Sequence, residues 1–282
     1  MIKVLHPGFY TTIQDLGRTN YQHFGVPKSG VMDQRAAKIA NALVGNNENE
    51  AVLEITMSGP KLEFQTEAII AITGANLNPK LNSKEILNNR LLKVSESDIL
   101  SFGNLVSGFR CYLAVSGGLQ TRIVLGSKSM YSGITQYDII KKNDFFSTVK
   151  SDISNEKQFS GLKVNDSYLK SSTLEVLKGL EFDSLTTIQK EKLLSKTFKV
   201  SKDNNRMAYQ LEEHIENNLK PIITSPVIPG TVQLTPSGKI IILMRDCQTT
   251  GGYPRILQLT TSAINVLAQK FTGNTISFKL KD

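Results

Sequence analysis

The chain has 282 residues, 40% hydrophobic and 21% charged, with a formal net charge of +8. That balance excludes a disordered chain, and a chain of this length buries roughly three quarters of its unfolded surface without help from a disulfide or metal. The positive charge raises nucleic acid as a partner, but the lysines between Lys150 and Lys220 lie scattered among Asn, Ser, Asp and Glu, which reads as a solvated surface.

Residues 1–8 carry no signal-peptide pattern, and no apolar run approaches the ~20 residues of a membrane span, so a cytoplasmic location is expected. The first clear helix covers residues 34–43. Asp33 is placed to cap it, Ala36, Ile39, Ala40 and Leu43 fall on one face, and Gly45 ends it. Residues 67–72 form a short apolar strand ending at Gly74, and 110–115 are an apolar run that holds Cys111 as a small buried hydrophobe. Residues 151–172 are polar and read as a long loop or linker. A weaker helical pattern covers 184–194. Strands are then expected at 239–244 and 255–259, a helix at 262–270 with Ile264, Leu267 and Ala268 aligned, and an alternating strand at 275–280. Short strands separated by Gly, Pro and Asn turns argue for a barrel or sandwich. A faint duplication pairs Pro7-Gly8 before Thr12-Ile13-Gln14 with Pro229-Gly230 before Thr231-Val232-Gln233.

Three segments gather chemistry. In Thr11-Thr12-Ile13-Gln14-Asp15-Leu16-Gly17-Arg18, either Asp15 and Arg18 pair to fix a turn, or Arg18 forks onto a carboxylate or phosphate that Asp15 orients. In Gly25-Val26-Pro27-Lys28-Ser29-Gly30-Val31-Met32-Asp33, Asp33 occupies the helix amides as a cap, so any function rests on Ser29 and Met32. In Asp246-Cys247-Gln248-Thr249-Thr250-Gly251-Gly252-Tyr253-Pro254-Arg255, hydroxyls, an amide and backbone donors converge as they would around a developing oxyanion; the plain alternative is a Gly-Gly hairpin. Cys247 is either a tolerated small residue or a reactive thiol. Arg206 is either an anion ligand or a surface ion pair. The two cysteines form no CxxC, only three histidines occur, and no Walker A loop, GxGxxG or HExxH is present, so neither a zinc site nor a nucleotide fold is announced.

Together these segments resemble the biotin-dependent carboxyltransferase family, also called the allophanate hydrolase subunit two family. Its members include the 5-oxoprolinase C-type component, KipA, and the carboxyltransferase region of urea carboxylase. Further matches are Ala40-Asn41-Ala42-Leu43-Val44-Gly45-Asn46, Ser58-Gly59-Pro60, Val124-Leu125-Gly126-Ser127 and Arg206-Met207-Ala208-Tyr209. The chain departs from the family pattern in three places. Met130 to Tyr137 stand where a Gly-rich loop is usual, Ala208 stands for a glycine, and Glu213 follows Leu211-Glu212 where a glycine is usual.

The resemblance implies a mostly β fold with a few helices, built as two packed cyclophilin-like β-barrels. Residues 1–107 would form the first and 108–282 the second, with a polar insertion around 150–173. It implies ATP-dependent opening of 5-oxoproline to glutamate in a complex with a B-type (KipI-like) and an A-type (LamB/YcsF-like) subunit, using ATP and Mg²⁺. A second implication is carboxyl transfer to urea or a related amide from biotin on a separate carrier protein. A third is a non-catalytic, KipA-like antagonist of a histidine-kinase inhibitor. On the first reading Arg18, Arg206 and Arg255 bind anionic groups, and Gln248, Thr249, Thr250, Gly251 and Gly252 orient and polarise the lactam carbonyl. Asp15 holds Arg18 or Mg²⁺. Gln14, Ser29, Met32 and Tyr253 complete the substrate contacts, and no resident metal site is expected.

Overall fold

The computed structural model describes residues 1–148 and 164–281, and strands dominate it. Three α-helices occur among the described residues: α1 (Gln34–Leu43), α2 (Thr187–Ser195) and α3 (Thr261–Ala268). Each begins on a side-chain cap. Asp33 accepts the Ala36 amide at 3.0 Å, Thr186 and Gln189 form a reciprocal capping box, and Thr260 accepts the Ala263 amide. The expected start of α2 at 184 fails because residues 182–184 form a separate 3₁₀ turn, and α3 ends at Ala268 as Gln269 and Lys270 close a tighter turn.

The chain divides into two units. The first comprises residues 1–18 and 33–170 and contains two sheets. One orders its strands Leu119–Gln120, Phe145–Thr148, Ile2–His6, Lys61–Phe64, Ile99–Phe102, Pro79–Leu81 and Lys84–Glu85. The other orders Tyr10–Gln14, Val52–Thr56, Ser107–Val115, Ala68–Asn76 and Leu91–Val94. Alternation builds the core: Leu53 and Ile55 enter it with Ile2, Val4, Leu62 and Phe64, each fully buried side chain contributing about 1.5–3 kcal/mol. The opposite face of the second sheet packs on α1. The strand expected to stop at Gly74 runs through it to Asn76. Gly74 sits at φ +77° opposite a register shift, and a Cβ there would lie 2.6 Å from the Arg110 carbonyl, so only glycine lets the strands continue as a bulge.

The second unit comprises residues 19–32 and 171–282 and is built on a closed barrel. Its strands run Thr173–Lys178, Arg255–Leu259, Thr231–Leu234, Lys239–Leu243, Ala208–His214, Thr197–Asn204 and Thr275–Leu280. Cross-strand pairs such as Tyr209–Ile242, Ile242–Val232 and Val232–Leu257 are fully buried on one side of these strands. A separate two-stranded ribbon joins Ser225–Pro226 to Thr250–Gly251.

The expected boundary at 107/108 is corrected. It falls at the start of Ser107–Val115, which hydrogen-bonds to both Val52–Thr56 and Ala68–Asn76 and so cannot leave the first unit. The C-terminal strands stay in the second unit, and it is the early segment 19–32 that joins them. Residues 151–163 of the expected linker lie outside the described residues. The remainder is no linker: Leu169 is buried, and the Tyr168 hydroxyl donates to Asp33 at 2.7 Å. The duplicated Pro-Gly pairs each present a glycine at positive φ and lead into a strand, one in each unit.

Candidate functional site

The first unit holds Gln14, Asp15 and Arg18. The Asp15 carboxylate is 4% exposed and accepts four hydrogen bonds, from the Ser127 and Ser129 hydroxyls and the Lys128 amide at 2.6 Å each, and from the Gly17 amide at 2.8 Å. It fixes the 127–129 segment to the strand end that bears it. An Arg18 Nη2 donates to the Ser129 carbonyl, so Arg18 belongs to the same knot. Gln14 donates to Thr12 and to the Met130 carbonyl at 3.1 Å each, while its own carbonyl oxygen, fully buried, has no partner among the described residues. Met130, the first residue of the departing loop, pairs its amide with the Ile13 carbonyl at 2.9 Å.

Asp33 acts as a cap. Its amide donates to the Tyr112 hydroxyl at 2.8 Å, and that hydroxyl donates to Glu54 at 2.9 Å. Burial, then the Glu54 and Asp33 carboxylates, hold the Tyr112 phenol well above its ordinary range, and burial with Asp33 does the same for Tyr168. Both phenols therefore stay protonated donors.

In the second unit, two of the sequence segments meet at one cleft of about 500 Å³. Gln248 and Tyr253 come from the 246–255 segment, Met207 directly follows Arg206, and Ala208 opens the strand that comes next. The floor is Ala208, Ile241 and Leu243, three residues on the side of their strands away from the barrel core. Gln210 and Gln233 flank Ile241 in register on neighbouring strands, and with Gln248, Asn204 and Asn205 they put five carboxamides around one opening, beside the charged Lys202 and Asp203. The Gln248 carbonyl oxygen has no partner among the described residues. Ala208 places a methyl in the floor where the family pattern has glycine.

The glycine pair does not turn a hairpin. Thr250–Gly251 pairs with Ser225–Pro226, the Thr249 carbonyl accepts the Val227 amide at 3.1 Å, and the Gly252 carbonyl accepts the Ile222 amide at 2.9 Å. Thr250 is exposed. A Cβ on Gly251 would meet Gln233 Nε2 at 2.6 Å, so its bareness lets the cleft carboxamide lie against the ribbon. No sequence motif singles out Gln210 and Gln233; alternation in their strands, with buried neighbours on either side, is the signal that could have found them.

Two of the expected anion ligands are occupied within the chain. Arg206 forks onto Asp246 at 2.7 and 3.0 Å and donates to the Gly30 carbonyl at 2.7 Å. Arg255 forks onto Glu181 at 3.0 and 2.7 Å and reaches the Ser225 hydroxyl at 2.7 Å. The Arg255 guanidinium, by hydrogen bonding, holds Glu181 below the ordinary carboxylate range. Met32 is fully buried. Ser29 is fully buried as well, at φ +55°, and its amide donates to the Arg245 carbonyl at 2.9 Å. Burial, then Asp246, push the Cys247 thiol up to about 12, which removes the reactive-thiol reading.

Among the described residues no three His, Cys, Asp or Glu side chains gather as a metal site. Asp15, Asp246 and Glu181 are each filled by donors from the chain itself, so these carboxylates do not fit a Mg²⁺ ion. No described helix is long and apolar enough to cross a membrane.

Residues 24–280 match the family model described as carboxyltransferase domain, subdomain A and B. The chain is 32% identical over 284 residues to the C-type component of the 5-oxoprolinase of Escherichia coli (strain K12), spanning 99% of this chain and 90% of that one. It is 44% identical over 131 residues to the urea amidolyase of Lachancea kluyveri, covering 46% of this chain and 7% of that one. Among solved structures, the Kluyveromyces lactis urea carboxylase superposes with a TM-score of 0.85 at 28% identity, over 98% of this chain and 27% of that chain. The chain therefore belongs to the carboxyltransferase family of subdomains A and B, whose relatives here are components of enzymes.

Proposed function

We propose that this chain is the C-type component of an ATP-dependent 5-oxoprolinase, acting with a B-type and an A-type partner on a small lactam. The observation that carries the reading is the carboxamide-lined cleft with the Gln248 carbonyl oxygen, buried and without a partner among the described residues. A lactam presents one N–H and one carbonyl side by side, and a carboxamide offers the complementary acceptor and donors. Gln248 would accept the lactam N–H, while Gln210 would donate to its carbonyl and draw charge onto that oxygen. The chain supplies orientation and polarisation. In this reading ATP and Mg²⁺ bind in the complex with the partner proteins. Coexpression with its genomic neighbours, followed by assay of ATP hydrolysis with and without 5-oxoproline, tests it. Turnover that depends on 5-oxoproline and drops in Gln248→Leu supports the reading; turnover unchanged in that variant removes the cleft from the reaction.

One observation favours a second reading, carboxyl transfer from biotin on a separate carrier to urea or a related amide. Local identity to the urea amidolyase, 44% over 131 residues, exceeds the 32% found along the oxoprolinase component. Avidin blotting of copurifying proteins separates the two.

A further inference from the structure

We propose that Lys202 selects lactams whose ring carries a carboxylate, pairing its ammonium with that group at the mouth of the carboxamide cleft. The inference rests on the lactam reading of that cleft and accounts for the one group of 5-oxoproline that the carboxamides leave unrecognised.

Lys202 reaches the opening because its strand breaks step. Between the pairs Val200–Leu211 and Asn204–Tyr209 the register shifts, so Ser201, Lys202 and Asp203 all stand opposite Gln210 alone. Strict alternation would turn either Lys202 or Asp203 away; in this bulge both are exposed and both line the cleft with Gln210. The bulge is held from within. The Asp203 amide donates to the Ser201 hydroxyl at 3.1 Å, and the Asn204 carboxamide donates to the Ser201 carbonyl at 2.7 Å and to the Thr272 hydroxyl at 2.9 Å. A bulge gives up ladder hydrogen bonds, and what it gains is a re-aimed side chain.

Among the described residues that line the cleft, Lys202 is the single cation. Lys199 in the same strand pairs with Glu212 at 3.3 Å, whereas Lys202 makes no ion pair with any described residue. Arg206 and Arg255, the cations expected to take the substrate carboxylate, are forked onto Asp246 and Glu181. In 5-oxoproline the carboxylate sits on the ring carbon bonded to the lactam nitrogen, so a ligand that gives its N–H to Gln248 brings the carboxylate to the same opening. That group does not turn to the floor, where Ala208, Ile241 and Leu243 would strip its water without returning a hydrogen bond. It faces the mouth, where the lysine ammonium supplies a charge-assisted donor. Asp203 opposes the anion from the same bulge, but its charge acts through water, while Lys202 contacts the carboxylate directly.

The test is an NMR titration, which reads millimolar affinities, of the full chain alone and with its coexpressed partners. The ligands are 5-oxoproline and 2-pyrrolidinone, the same ring without the carboxylate. Wild type is expected to bind 5-oxoproline more tightly. Lys202→Gln is expected to weaken 5-oxoproline by about three- to tenfold and to leave 2-pyrrolidinone unchanged, while Lys202→Arg keeps the preference. Asp203→Asn is expected to strengthen 5-oxoproline by about two- to fivefold, again with 2-pyrrolidinone unchanged. A wild-type chain that binds both lactams alike overturns this inference and leaves the amide cleft standing. So does Lys202→Gln with the wild-type preference, or with both lactams weakened equally, which would mark a merely structural role. A chain that binds neither lactam, with or without partners, overturns the cleft reading and this one with it.

Discussion

Removing the Asp15 carboxylate should destabilise the first unit before it touches any chemistry. Four donors converge on Asp15, and two of them, the Lys128 and Gly17 amides, are backbone groups that cannot turn away. Orphaning two buried amides costs about 1–3 kcal/mol each, while the two serine hydroxyls can rotate toward other acceptors and lose less. Asp15→Ala should therefore lower stability by about 3 kcal/mol or more. Asp15→Asn separates the donors. With its oxygen in the place of Oδ1 it keeps Gly17, Ser127 and Ser129, but its amide then faces the Lys128 amide, donor against donor, for a loss of about 1–2 kcal/mol. Urea unfolding followed by far-UV circular dichroism and tyrosine fluorescence reads both variants; the chain has eight tyrosines and no tryptophan to mask them. The order expected is wild type, then Asn, then Ala. An Asp15→Ala protein that unfolds at the wild-type midpoint yet loses substrate turnover would refute the structural role and restore Asp15 to the chemistry.

Gly251→Ala should displace Gln233 from the cleft wall, since the new Cβ would lie 2.6 Å from its amide nitrogen; overpacking of about 1–3 kcal/mol and a raised KM for the amide are expected from melting curves and steady-state assays. Cys111 and Cys247 are both buried, with burial the main cause that raises each thiol pKa, so neither should react with iodoacetamide at neutral pH until the chain is denatured, as mass spectrometry would show. Arg255 holds Glu181 below its ordinary value, so the pair's contribution is present above the unfolded carboxylate pKa and is lost as pH falls through the depressed folded one. Acid unfolding of the second unit should therefore flatten in Glu181→Gln over that window; an acid limb identical to wild type would contradict it.

The elements most visible in the sequence are those whose signal is local. Helix α1 runs from Gln34 to Leu43 as its cap and apolar spacing require, although Ala37 replaces Ile39 among its fully buried residues. The strands Arg255–Leu259 and Thr275–Leu280 match their alternation. What the sequence hides is non-local. The division of the chain is discontinuous because segment 19–32 follows contacts made more than 170 residues later, such as Arg206 to Gly30 at a separation of 176. Gly74 reads as a strand end because its role as a bulge is set by Arg110 on a neighbouring strand.

The same distinction governs the site. A sequence shows which side chains can donate, but it does not show which are already engaged. Arg206 and Arg255 carry the right chemistry for an anion, yet each forks onto a carboxylate of its own chain, 40 and 74 residues away, and holds loops in place. A bidentate Arg–carboxylate pair is among the stronger polar contacts a protein makes, so an incoming anion would have to displace it and leave a carboxylate unpaired. Groups with an unfilled valence are the better guide to ligand chemistry: the Gln248 carbonyl stands beside Gln210 and Gln233, a neutral and amide-like set. A neutral amide is thus the ligand that these carboxamides call for, and amide-dependent turnover unchanged in Gln248→Leu would show otherwise.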